Sequence, residues 1–330
     1  ELLMLTTNDA DGLTDNIGVS CAYVASENGH AESLKVLIEA GGKELLMLAS
    51  NTGVSCAYVA AQNGHLETLR ILIDAGGKKL LMLKNHIGKS CACIAFQNRK
   101  TEALRMLVEA GGKKLLMLTD KDGKSCAYLA SENGQTEALM MLIDAGGKDL
   151  LMLTDQDGKS CAYVAFQNGH REALRMLVEA GGKELLVLTD KDGVSCAYMA
   201  SKNGDTEALM MLVQTGGKEL LTLTHNNGMS CACIASQNGQ TEALGILIEG
   251  GGKELLMLTD DNGLSCAYMA SQNGQTEALS MLIAAGGKDL LMLRHNIGSS
   301  CAYVATMVGQ TEALKILIEA GGKELLMLTD

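Results

Sequence analysis

Apolar positions along this chain fall into three short patterns that return in the same order at a fixed step. The first is Gly-x-Ser-Cys-Ala-Tyr-x-Ala. It begins at Gly18 and returns at Gly53, Gly88, Gly123, Gly158, Gly193, Gly228, Gly263 and Gly298, every 35 residues. The second is an amphipathic stretch, as after Thr136, where Leu139, Leu142 and Ile143 stand at i, i+3 and i+4 and make one apolar stripe. The third is a continuous apolar run, Leu-Leu-Met-Leu, as at Leu45–Leu48. Self-similarity at such a period indicates an array of units, each too short to bury a core alone and therefore stacked on its neighbours.

The unit that starts at Gly123 shows which elements the pattern predicts. Ser125 is a good N-cap, and a helix follows from Cys126 to Glu132. Asn133-Gly134 ends it, since both residues tolerate the left-handed conformation. Thr136 is expected to cap the second helix, with Glu137 in the first turn, where the helix dipole favours an acid. Gly146-Gly147 stops that helix. The Leu-Leu-Met-Leu run lacks β-branched residues, which favours a short third helical turn over a strand. The run must be buried, because repeated exposure would leave a large apolar strip. The predicted fold is all-α, an α-solenoid of stacked helix–turn–helix repeats with a short third helical turn per repeat. Residues 18–330 make nine units in one elongated domain. In residues 1–17, Glu1–Leu5 is the tail of a preceding unit, and Thr6–Ile17 reads as an inserted surface loop.

The unit resembles the ankyrin repeat. Gly-x-Ser-Cys-Ala-Tyr-x-Ala stands where that family has Gly-x-Thr-Pro-Leu-His-x-Ala. The match continues through Asn-Gly-His-x-Glu at Asn28–Glu32, Leu-x-x-Leu-Ile in the second helix, and Glu-Ala-Gly at Glu39–Gly41. The sequence departs from the family in three ways. Cys replaces Pro and Tyr replaces His, with Cys93 and Cys233 in the Tyr slot of two units; the period is longer than the family's usual one; and Lys-Glu-Leu-Leu-Met-Leu replaces the hairpin finger. The resemblance implies a protein-binding role through the concave face. The slots matching that face, Val19, Glu27, Asn28 and their equivalents, vary little from unit to unit. Such regularity suits a regular partner or a structural role.

Composition narrows the function classes. There is no Pro, so proline kinks and linkers are excluded. The net charge of -12 argues against a nucleic-acid partner. No apolar run approaches the roughly 18 residues of a membrane span. Nine of the 11 Cys occupy the slot after the capping Ser. On helices packed about 8–10 Å apart, equivalent cysteines stand beyond the Cα separation of about 7 Å that a disulfide tolerates. They are expected to be small buried apolar residues. Unpaired thiols favour a cytoplasmic setting.

Four constellations could carry chemistry, and each has a structural explanation that fits better. Asp-x-Asp-Gly, at Asp9–Gly12, Asp120–Gly123, Asp155–Gly158 and Asp190–Gly193, is half of a calcium loop but lacks the distal Glu and the remaining oxygen ligands; it reads as a turn into the first helix. A Cys at a helix N-terminus can be a nucleophile, but only three units place a His nine residues on (His30, His65, His170), so the base is missing from most copies. Cys91 and Cys93, like Cys231 and Cys233, are two apart and point to different helix faces, which makes a metal pair improbable. Gly-Gly-Lys lacks the rest of a phosphate loop and reads as a helix end with a dipole-compensating Lys. No cofactor and no small-molecule substrate is expected.

Stacking should turn the repeated Glu of Glu32 and the repeated Lys of Lys43 into rows, each neutralised by neighbours. Departures from the regular pattern mark candidate partner-binding residues. The third unit reads Phe96-Gln97-Asn98-Arg99-Lys100, with Arg99 in place of Gly; Phe96 and Phe166 are the only Phe; and Met307-Val308 stand where other units read Gln-Asn. Neither end carries a polar capping unit: Leu2, Leu3 and Leu5 match Leu325, Leu326 and Leu328. Matching ends fit either a fragment of a longer array or a candidate end-to-end interface through these residues, which would generate an open filament if it does not close. The sequence therefore reads as a non-enzymatic protein-interaction or structural scaffold, with head-to-tail self-assembly through uncapped ends as one form. The alternative is a binding module for a single protein partner on the concave face.

Overall fold

Each repeat begins at a serine. The hydroxyl oxygens of Ser20, Ser55, Ser90, Ser125, Ser160, Ser195, Ser230, Ser265 and Ser300 each accept the backbone N–H three residues on, at 3.2 Å for Tyr23 and 3.1 Å for Tyr128. This satisfies one of the unpaired N–H groups at a helix start and fixes where the helix begins.

The computed structural model describes residues 18–328. Its chain divides into two units, 1–156 and 157–330. In the first unit the helix pairs are α1 (Cys21–Glu27) and α2 (Ala31–Gly41), α3 (Cys56–Asn63) and α4 (Leu66–Leu81), α5 (Cys91–Gln97) and α6 (Thr101–Leu116), and α7 (Cys126–Glu132) and α8 (Thr136–Leu151). In the second they are α9 (Cys161–Gln167) and α10 (Arg171–Leu186), α11 (Cys196–Asn203) and α12 (Thr206–Leu221), α13 (Cys231–Asn238) and α14 (Thr241–Leu256), α15 (Cys266–Asn273) and α16 (Thr276–Leu291), and α17 (Cys301–Met307) and α18 (Thr311–Leu326). Among the described residues the only extended pairings are isolated antiparallel bridges such as Ala49 to Ser55. Each unit is thus an all-α, solenoidal stack of helix–turn–helix repeats, as the periodicity predicts.

One detail of the expected caps differs. Thr136 is not the N-cap of α8 but its first residue, and Gln135 takes the cap position without a side-chain bond. The turn is tight enough that the Thr136 N–H already bonds Gly134 O at 3.1 Å, which draws Thr136 into the helix.

The third helical turn is present. Gly147, at φ +63°, breaks α8, and the chain resumes helix immediately through Leu151. Only Gly adopts that backbone without strain. In the first repeat the same segment is a 3-10 turn, Lys43–Met47. The leucines of this turn and those of the preceding stripe meet in the core: Leu139, Leu142, Leu150 and Leu151 are all buried. Burial of each contributes on the order of 2 kcal/mol.

Neighbouring repeats are tied at both ends. At the turn before each serine, a backbone bond crosses the boundary, as from Lys121 N to Ile87 O at 3.0 Å and from Asn226 N to Asp192 O at 2.8 Å. Gly88 (φ +81°) permits this approach, because a Cβ there would stand 2.8 Å from Lys121 N. At the Gly-Gly-Lys end, several Lys reach the acid that follows the Lys of the next repeat. Lys113 pairs with Asp149, Lys183 with Glu219, Lys218 with Glu254 (3.5 Å), Lys253 with Asp289 (2.5 Å) and Lys288 with Glu324. These five lysines are thus neutralised one repeat on. Glu32, Glu102, Glu172 and Glu312 of the Glu row are neutralised within their own helices by Lys35, Arg105, Arg175 and Lys315.

Candidate functional site

The Asp-x-Asp-Gly segments are turns. The Asp120 Oδ1 accepts the N–H groups of Asp122 at 3.0 Å and Lys124 at 2.9 Å, and Asp190 repeats this with Asp192 and Val194. These are Asx turns feeding the first helix. The segment at Asp9–Gly12 and the loop expected over 6–17 lie outside the described residues. Among the described residues no group of three or more His, Cys, Asp and Glu converges as a metal site requires. Nor is any helix there long and apolar enough to cross a membrane.

Ten of the 11 cysteines are buried, and Cys21 is exposed. Burial pushes the thiols of Cys91, Cys161, Cys196 and Cys231 up to about 12, the reverse of an activated nucleophile. The regular thiol donates to a backbone carbonyl ten residues earlier, Cys91 to Leu81 O at 3.4 Å and Cys266 to Leu256 O at 3.3 Å. Spacing arguments compare equivalent cysteines and so miss one relationship: Cys93, in the Tyr slot, lies against Cys126 of the next repeat, Sγ to Sγ 2.8 Å. The signal available in the sequence was the pair of Tyr-to-Cys exchanges.

The irregular third repeat builds a groove. Phe96 is buried and forms its floor; Arg99 and Lys100, from the turn between α5 and α6, form one wall; Gln135, Thr136 and Glu137 of the next repeat form the other. Its volume is roughly 370 Å³. Arg99 stands at φ +55°, the one non-Gly residue with positive φ among the described residues, where the other repeats place Gly. Such a conformation costs on the order of 1 kcal/mol or more. Lys100 occupies the slot from which His65 and Gln240 reach the carbonyl of the preceding repeat, His65 Nε2 lying 2.9 Å from Glu27 O. Neither Arg99 nor Lys100 forms an ion pair among the described residues.

The same place in the second unit is closed. Phe166, also buried, lies under a space of about 50 Å³. Arg171 spans it, bonding Asp205 Oδ1 at 3.1 Å and Glu207 Oε2 at 3.0 Å. The structure therefore brings Phe96, Arg99 and Lys100 together and leaves Phe166 elsewhere. Met307 and Val308 are exposed on the last repeat. Of the end residues, Leu325 is buried, Leu326 is exposed and Leu328 is half-buried; Leu2, Leu3 and Leu5 lie outside the described residues.

The charge pattern is also locally inverted. Residues 53–122 carry 11 Lys or Arg against 6 Asp or Glu, in a chain of net charge -12. Lys79 and Lys114 stand where the cross-repeat acids stand elsewhere, so Lys43 and Lys78 face lysines one repeat on, and all four are exposed.

No curated protein matches the chain. The family described as Ankyrin repeats (3 copies) matches over residues 1–82, 22–116, 91–187 and 233–326. Most of the sequence is covered by these matches, and the serine-capped helix pairs and left-handed glycines supply the repeat's architecture, so the chain belongs to the ankyrin repeat family.

Proposed function

We propose that this ankyrin repeat chain is a non-enzymatic protein-binding module whose partner presents an acidic segment to the groove of the third repeat. Ankyrin repeats act in protein interaction in general. The observation that carries the finer reading is the contrast between two equivalent places. Over Phe166 the cation is consumed by Asp205 and Glu207, whereas over Phe96 the cations are uncompensated and the groove is open. An open groove with an aromatic floor and two free cations suits a carboxylate flanking an apolar side chain. Glu137 is the one acid on its lining and disfavours a partner that is acidic throughout.

The test is titration of the intact chain with a short Glu-rich peptide carrying one Leu, followed by fluorescence anisotropy. Lys100→Gln should weaken binding about tenfold, roughly 1.4 kcal/mol. Unchanged affinity in that variant, or equal affinity for a Lys-rich peptide, overturns the reading.

A further inference from the structure

Cys93 and Cys126 differ from every other thiol among the described residues in touching one another. Their sulfurs are 2.8 Å apart, both side chains are buried, and the residues belong to successive repeats of the first unit. A disulfide needs an S–S separation of about 2.05 Å, so a shift of less than one ångström separates contact from bond. The slot of Cys93 holds Tyr in most repeats, and the Tyr side chain extends to the turn of the next repeat, as Tyr128 does to Asp155. The shorter Cys93 cannot span that gap and turns instead to Cys126. Cys126, unlike Cys91 and Cys266, has its thiol directed to a second sulfur. The contact also polarises the pair: the Cys126 S–H holds Cys93 below the usual thiol range, while that bond and burial hold Cys126 well above it.

We infer that Cys93 and Cys126 form an oxidisable dithiol that closes into a disulfide between the third and fourth repeats, with hydrogen peroxide as the oxidant. The Cys93 thiolate attacks one peroxide oxygen, the O–O bond breaks, and the departing hydroxide takes up the proton that Cys93 released, leaving a sulfenic acid and one water. The Cys126 sulfur then attacks the Cys93 sulfur; the S–O bond breaks, and the hydroxide leaves with the Cys126 proton as a second water. Two thiols and one peroxide give one disulfide and two waters. Burial shields the pair from bulky thiol reagents, which meet the exposed Cys21 first. The staple closes a segment of 33 residues in sequence separation and constrains the unfolded chain.

A built-in control lies in the second unit. Cys233 and Cys266 have the same spacing and the same slots. There Cys233 Sγ is directed to Leu258 O and Leu264 O, each at 3.9 Å, and Cys266 Sγ to Leu256 O at 3.3 Å.

The experiment uses the full chain with Cys21→Ser, which removes intermolecular cross-linking through the exposed thiol. After peroxide treatment and quenching, thiols are counted in denaturant and peptides are mapped without reduction. The expected result is loss of two thiols, one Cys93–Cys126 cross-linked peptide, none joining Cys233 to Cys266, and a raised urea midpoint that falls back on reduction. Cys93→Tyr, which restores the residue of the neighbouring repeats, should fold and lose the cross-link. All thiols retained, oxidation to sulfinic acid without a cross-link, or equal cross-linking at Cys233–Cys266 overturns the inference.

Discussion

Tyr128 donates its hydroxyl proton to Asp155 of the next repeat at 2.7 Å, joining the first helix of one repeat to the turn that starts the following one. In the second unit Tyr163 does the same to Asp190 at 2.8 Å, and Asp190 at the same time accepts two backbone N–H groups of its own turn. The Tyr slot thus fixes the turn that positions the next serine cap. Removing the hydroxyl of Tyr128 leaves a half-buried carboxylate short of one charge-assisted bond, so Tyr128→Phe should cost about 1.5 kcal/mol. Urea unfolding measures the loss, and hydrogen exchange should show earlier opening at the Asp155 turn than at the Asp120 turn.

The lysine-to-acid ladder supplies a second prediction. Lys79→Glu places an acid where Asp149 receives Lys113 and should let Lys43 pair across its boundary. All these pairs of the ladder are well exposed, and such pairs contribute only about 0.5 kcal/mol. The unfolding midpoint should therefore move little. Association with the Glu-rich peptide should slow several-fold at low salt, because the charge of the 53–122 region has fallen, and the difference should vanish near about 0.5 M salt. Stopped-flow measurements at two ionic strengths check this. A large stability gain, or a rate difference that persists at high salt, contradicts it.

Much of this fold is legible in the sequence because its determinants are local. Ser125 before Cys126 sets a helix start, Gly147 sets a break, and both recur at each period. The burial of the Leu pairs follows from their lack of any polar alternative. The candidate site was only half legible. Phe96, Arg99 and Lys100 stand out as departures from the repeat, yet that they share a groove with Gln135 and Glu137 depends on how the next repeat sits. Phe166 departs in the same way and lies under Arg171, whose two carboxylate partners come from the following repeat. The Cys93–Cys126 contact was hidden for a different reason. It joins two different slots of successive units, and a period compares each slot with itself.

Arg99 carries a testable cost. Its positive φ is the conformation that Gly29 and Gly64 adopt at the same turn. Arg99→Gly should relieve the strain and stabilise the first unit by about 1 kcal/mol. It also removes one of the two groove cations, so affinity for the Glu-rich peptide should fall. Opposite signs of stability and binding in one variant are the expected outcome, read by urea unfolding and anisotropy on the same preparation. Arg99→Gly that loses stability refutes the assignment of strain.

Alkaline pH should destabilise the chain through its buried thiols. Cys161, Cys196 and Cys231 are held from an ordinary value of 9.0 up to about 12 by burial, and Cys56 up to about 11. The folded state keeps these protons while the unfolded chain releases them. Their contribution is therefore fully present below pH 9 and is lost as pH rises from 9 towards 12. For each such thiol the loss approaches about 1.4 kcal/mol per pH step within that window. The paired Asp149 and Asp289 act in the opposite direction: Lys113 and Lys253 lower their carboxyls, so their contribution fades only as pH falls into the acid range. Stability should hold a plateau through neutral pH and drop steeply above pH 9, with the drop reduced when one buried thiol is replaced, as in Cys161→Ala. Thermal unfolding across pH 7 to 11, with thiolate absorbance followed in parallel, tests this. Thiolate that appears near pH 9 without unfolding would show that these sulfurs reach solvent in the folded chain.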